Sequence, residues 1–145
     1  MYAEGKNWAE YIRKKHHTEV RQRLGDVGVR SLWATQSEIE LLKYRLVRDE
    51  GFRRDDPIVV YRGRMGRPYV IDGHTRARVC LDEEQETILA VVYSTREVQV
   101  DLEVESMAAR AGGGSARRVK DMPITDRLGE GTEEWRQRRR EVLDQ

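Results

Sequence analysis

Tyr69-Val70-Ile71-Asp72-Gly73-His74-Thr75-Arg76-Ala77-Arg78 reads as a buried strand that stops abruptly and turns straight into a helix. Tyr-Val-Ile is aromatic and β-branched, as a strand wants. Asp72-Gly73 is turn chemistry, and Gly73 can take a left-handed backbone closed to most residues. The helix runs on through Ala77, Val79, Cys80 and Leu81, with Asp72 or Thr75 as its expected cap. A helix start leaves backbone N–H groups free and carries positive partial charge, so it suits an anion. Arg76, with Arg78 and His74 beside it, adds donors that fit a phosphate group. Gly73 permits the turn, the N–H groups of His74 to Arg76 face the anion, Arg76 gives a bidentate bond and Thr75 a hydroxyl. Asp72 has three open roles: holding a divalent metal, fixing one tautomer of His74, or capping the helix.

Working outward, Ile58–Tyr61 and Tyr69–Ile71 form a hairpin around Gly63 and Gly66. Residues 4–24 read as an amphipathic helix with Trp8, Tyr11, Ile12, Val20 and Leu24 on its stripe, closed by Gly25 and Gly28. A second helix has Thr35 and Ser37 as caps, Glu38 and Glu40 at its positive end, Ile39, Leu42 and Leu46 on one face, and Gly51 as its stop. Thr87–Tyr93 is an apolar strand, and the alternation of Val98–Leu102 reads as another. Gly112-Gly113-Gly114-Ser115 is a loop or hinge. With no Gly-Lys-Ser/Thr after it, it is no P-loop. A short strand near Val119–Ile124 and a C-terminal helix capped by Thr132 complete the chain.

Pro57-Ile58-Val59-Val60, the Gly-containing hairpin and Tyr69-Val-Ile-Asp-Gly-His-Thr-Arg together resemble the ParB/sulfiredoxin superfamily over about residues 30–95. That family runs helix, Pro-Ile-x-Val strand, hairpin, strand, then Gly-x-x-Arg opening a helix. In partition-type ParB proteins the motif is similar to Gly-Glu-Arg-Arg and grips a nucleoside triphosphate. In sulfiredoxin it is Gly-Cys-His-Arg, and in free serine kinases Asp-Gly-His-His-Arg. Asp72-Gly73-His74-Thr75-Arg76 is most similar to the last.

The resemblance implies an α+β fold, a small mixed sheet with packed helices. Residues 1–28 would be an N-terminal helical extension, 29–104 the ParB/sulfiredoxin-like domain, and 105–145 a Gly-rich loop with a C-terminal strand and helix. It implies a nucleotide (ADP, ATP or CTP) or phosphorylated small molecule bound at Gly73, His74, Thr75, Arg76, Arg78 and Gln36, with Mg as a candidate companion. Phosphoryl transfer or hydrolysis would fall to Glu38, Asp72 or His74. In the serine kinases a Glu serves as base where this chain has Thr35 or Gln36, neither of which takes a proton at neutral pH. Glu38 substitutes only with a local shift. Two alternatives follow: a DNA-associated ParB-like protein with nucleotide as switch, and a non-catalytic interaction module on the same fold.

Other features narrow the field. The chain has 145 residues, 37% of them charged, and a net charge of +1, which leaves no whole-chain nucleic-acid footprint. Nucleic acid is therefore expected as a weak partner at best, despite Arg117-Arg118-Val119-Lys120 and Arg136–Arg140. Five arginines against one aspartate over residues 61–78 concentrate positive charge on the hairpin and the motif. Cys80 lies seven residues past Gly73, where a small buried side chain is expected rather than redox chemistry. His16-His17 gives no metal set, because neighbours on a helix face different ways. A lone cysteine and the lack of a long apolar run or signal-peptide core point to a cytoplasmic location with no membrane partner. The terminal helices offer a route to self-association.

Overall fold

The computed structural model describes residues 3–145, with side chains from residue 5 onward. Among the described residues the helices are α1 (Ala3–His16), α2 (Leu41–Glu50), α3 (His74–Asp82), α4 (Val98–Ala111) and α5 (Glu133–Leu143). The strands are β1 (Arg21–Gly28), β2 (Ile39–Glu40), β3 (Ile58–Arg62), β4 (Pro68–Asp72), β5 (Thr87–Ser94) and β6 (Ile124–Thr125). The class is α+β with a mixed four-stranded sheet, in the order β1-β5-β3-β4. β3 lies parallel to β5, and the outer pairs are antiparallel. β2 and β6 form a separate parallel pair, Ile39 opposite Ile124 and Glu40 opposite Thr125.

Ile58–Tyr61 of β3 and Ala90–Tyr93 of β5 are continuously buried because both faces of the sheet are covered. Side-chain parity divides them. Ile58 and Val60 of β3, with Ala90 and Val92 of β5, pack with Tyr44, Val47, Ala77 and Val79 of α2 and α3. Val59 and Tyr61, with Val91 and Tyr93, pack with Ala9 and Ile12 of α1 and Val100, Val104 and Ala108 of α4. The segments expected as extensions share these cores, through Ala9 and Ile12 on one face and Val27, Val119 and Met122 on the other.

Two expected elements are overturned. The helix over residues 4–24 ends at His16, and His17 turns left-handed at φ 49°. Residues 21–28 then pair antiparallel with the full length of β5. A long sheet partner outweighs the local helical stripe, and Leu24, assigned to that stripe, is 57% exposed. The strand expected at Val98–Leu102 is the start of α4. Its buried positions Val100, Val104 and Ala108 recur every four residues, a period that five residues cannot display. Glu97 caps this helix by accepting from the Gln99 N–H.

Smaller shifts matter for the site. α2 begins at Leu41 rather than at Thr35 or Ser37, because Ile39 and Glu40 are drawn into pairing with β6. Gly51 ends it in a left-handed conformation, as expected. The expected strand near Val119–Ile124 is a 3-10 turn at 119–121, followed by the two residues of β6. The hairpin, the strand at 87–94 and the Thr132-capped α5 stand as expected.

Candidate functional site

β4 carries one residue more than β3 where the motif begins. Val60 faces Val70 and Val59 faces Asp72, so Ile71 bulges out of the ladder. Such a bulge bends a strand and ends its pairing, and the chain turns at the next residue. Gly73 caps α3 at φ 103°. A Cβ there would lie 2.5 Å from Ile58 Cγ2 and 2.9 Å from the Arg76 guanidinium, so only glycine fits. Neither Asp72 nor Thr75 makes the expected side-chain cap. Asp72 instead accepts from Arg76 Nη2 at 3.2 Å. The helical ladder opens with Ala77 N–H to the Gly73 carbonyl at 3.0 Å, which leaves the His74 and Thr75 N–H groups ahead of it.

Trp33 extends the outer edge of β4, exchanging hydrogen bonds with Pro68 and Val70 at 2.9 Å. The chain then runs past the motif. The Thr35 hydroxyl donates to the Val70 carbonyl at 2.6 Å, and its N–H donates to His74 Nε2 at 3.0 Å. His74 is 2% exposed. Burial outweighs the opposing pull of Asp72 and lowers its pKa to about 4. Because Nε2 accepts, the neutral ring holds its proton on Nδ1, a buried donor with no hydrogen-bond partner among the described residues.

The motif residues Asp72 to Arg76 wall a cleft of about 120 Å³ together with Gln36, Lys43, Arg53 and the α5 residue Val142. Arg76 does not simply face the cleft. Its side chain is 7% exposed, bonded to Asp72 and 4.0 Å from Asp56, which in turn accepts from Arg53 at 2.9 Å. Arg53, Asp56, Arg76 and Asp72 form a chain of alternating charge beneath the opening. Lys43 has no ion-pair partner among the described residues and supplies unmatched positive charge. Sequence reasoning missed both Lys43 and Arg53. The available signal was that Lys43 and Val47, four apart on α2, share the face that meets the motif.

Other expected site residues lie elsewhere. Arg78 bonds Asp82 and the carbonyls of Val119 and Met122, stapling α3 to the 119–122 turn. Its Nε and Nη1 donors are spent on the fold, and it is absent from the cleft lining. Glu38 stands in an adjoining cleft, bonded to Arg127 and Thr125, which hold its carboxyl at about 2. The hairpin arginines were expected to add charge near the motif but lie at the opposite end of β4, where Arg67 sits 4.6 Å from the Trp33 ring. Cys80 is half-buried against the core, and burial pushes its thiol up. Among the described residues no three His, Cys, Asp or Glu side chains could together hold a metal, and no helix is long and apolar enough to cross a membrane.

No family model and no curated protein matches the chain. Among solved structures it is similar to the crystal structure of protein Atu1540 from Agrobacterium tumefaciens, at 21% identity with a TM-score of 0.48. The match covers 73% of this chain and 63% of that one, so this chain spans less than two thirds of its neighbour.

Proposed function

We propose that this chain is a ParB/sulfiredoxin-like protein that binds the phosphate of a nucleotide or phosphorylated small molecule at the Asp72–Arg76 turn. The observation that carries the reading is the cleft where an α-helix opens and where, among the described residues, Lys43 has no ion-pair partner and a buried His74 N–H lacks an acceptor. An anion there would meet helix-start N–H groups and a cation together. The order of hairpin, strand, Gly73 and Arg76-bearing helix supports the fold assignment. Asp72 lines the cleft, and Mg²⁺ commonly binds through one carboxylate and the ligand's own phosphates.

Binding without chemistry is favoured over phosphoryl transfer. Glu38 is ionised but tied to Arg127, and a carboxylate with a pKa of about 2 is a weak base. Asp72 is engaged by Arg76, and His74 Nε2 by Thr35.

Thermal shift and calorimetry with ADP, ATP, CTP and inorganic phosphate, with and without magnesium, test the reading. A ligand at 100 times its dissociation constant stabilises the fold by about 2.7 kcal/mol. Lys43→Ala should weaken phosphate binding roughly 10- to 100-fold, the worth of a charged hydrogen bond, with little change in stability. Arg76→Ala should lose binding and also about 1.5–3 kcal/mol of stability, because Asp72 loses its partner. Unaltered affinity in Lys43→Ala would remove the assignment.

A further inference from the structure

Beside the cationic cleft lies a larger one of about 350 Å³, and the two meet along Gln36, Lys43 and Thr75. Its far wall comes from residues 125–128 and from Arg138 of α5. Three carboxylates line it, and each is already hydrogen-bonded, two of them by arginines. Glu38 accepts from Arg127 at 2.5 and 2.7 Å and from the Thr125 hydroxyl. Glu40 receives both arms of Arg138 at 3.1 Å. Asp126 accepts the N–H groups of Leu128, Gly129 and Glu130 at 3.2, 2.9 and 2.6 Å. Leu128 adds apolar surface, with the buried Leu42 behind it, and Ser37, Thr75 and Thr125 are the hydroxyl-bearing residues of its lining.

The two clefts therefore differ in chemistry. With Lys43 committed to the phosphate of the first cleft, a further ionic group entering the second would compete with its arginine–carboxylate pairs or give up hydration without a free counter-charge. A neutral, hydroxyl-bearing group would find carboxylate and hydroxyl oxygens that still have lone pairs, and Leu128 against its carbon face. Size agrees. Small-molecule pockets start near 300 Å³. The first cleft, at about 120 Å³, is well below that and has room for a phosphate but not for its carrier, whereas the second reaches it.

We infer that the site is bipartite: the first cleft takes the phosphate, and the second takes the sugar to which it is esterified, with Lys43 at the boundary. The inference rests on the anion reading of the first cleft. The ligand class is a phosphorylated sugar, free or as the sugar-phosphate part of a nucleotide, in preference to a phosphorylated acid.

Calorimetric titration with inorganic phosphate, ribose 5-phosphate, adenosine monophosphate and phosphoserine tests this. The two sugar phosphates should bind about tenfold tighter than inorganic phosphate or more, a gain of roughly 1.4 kcal/mol, and phosphoserine should not. Equal affinity for the two identifies a free sugar phosphate, and tighter binding of adenosine monophosphate identifies a nucleotide. Leu128→Trp and Ser37→Trp each fill the second cleft with a bulky ring from an exposed position, without adding charge beside Lys43. Each should cancel the sugar advantage and spare inorganic phosphate, with the fold checked by circular dichroism. If phosphate binds but the sugar phosphates bind no tighter, or if both variants keep the advantage, the bipartite site is wrong. If phosphate itself does not bind, the reading beneath it fails instead.

Discussion

At His74 the cost of burial is readable as a pH dependence. Unfolded, the ring titrates near 6.5; folded, burial lowers it to about 4. As pH falls through 6.5 the unfolded chain takes up a proton that the folded chain refuses, so stability falls until the folded ring also protonates. The full span is worth about 3 kcal/mol, and nothing changes above neutrality. Urea midpoints should therefore drop between pH 6.5 and 5, ahead of the carboxylates, and His74→Gln should flatten that window. A variant curve parallel to wild type would assign the slope to another group. Gly73 makes a separate demand. Its φ of 103° and the 2.5 Å gap to Ile58 Cγ2 leave no room for a methyl group. Gly73→Ala should cost at least about 2 kcal/mol from backbone strain and the contact together, visible in thermal melts. Unchanged melting would mean the turn can rearrange.

Among the elements, α5 is the one held mainly from outside the sheet cores. Val142 packs on Leu42 and Leu46 beside Phe52 and Trp135. Arg138–Glu40 and Arg139–Glu50 pair across the same contact. Exposed ion pairs contribute little, so the apolar contact should govern docking. Val142→Ala should cost about 1.5 kcal/mol for two buried methyl groups and raise hydrogen exchange across α5 more than in the sheet. Uniform exchange would show that α5 unfolds only with the whole. The motif, hairpin, β5 and the Thr132 cap were legible in the sequence because each carries its signal within a few residues. β1 was not, since its strand conformation is set by β5 from far along the chain. α4 was missed because Val98, Val100 and Leu102 alternate, while the helical repeat needs Val104 and Ala108 to show. Likewise Gly73, His74 and Thr75 were readable as cleft residues. The pairing of Arg76 with Asp72, the diversion of Arg78 to Val119 and Met122, and the arrival of Lys43 depend on how separate segments meet.

For the molecule as a whole, charge is abundant but largely consumed internally. Arg136, Arg138, Arg139 and Arg140, which read as a basic run, all pair with glutamates. With a net charge of +1, DNA binding should be no tighter than about 10⁻⁶ M at physiological salt, the non-specific range. Sequence-selective nanomolar binding in an anisotropy assay would contradict this and favour the nucleotide-switch alternative. The pairing of β2 with β6 joins the first third of the chain to its last. Both clefts take part of their lining from the last third, from Thr125 to Leu128 in one case and Val142 in the other. During synthesis the motif leaves the ribosome long before those partners do. A nascent chain paused after β5 would hold its central sheet strands but only half a binding site, so ligand capture would mark a finished polypeptide and could not guide the early steps of its folding.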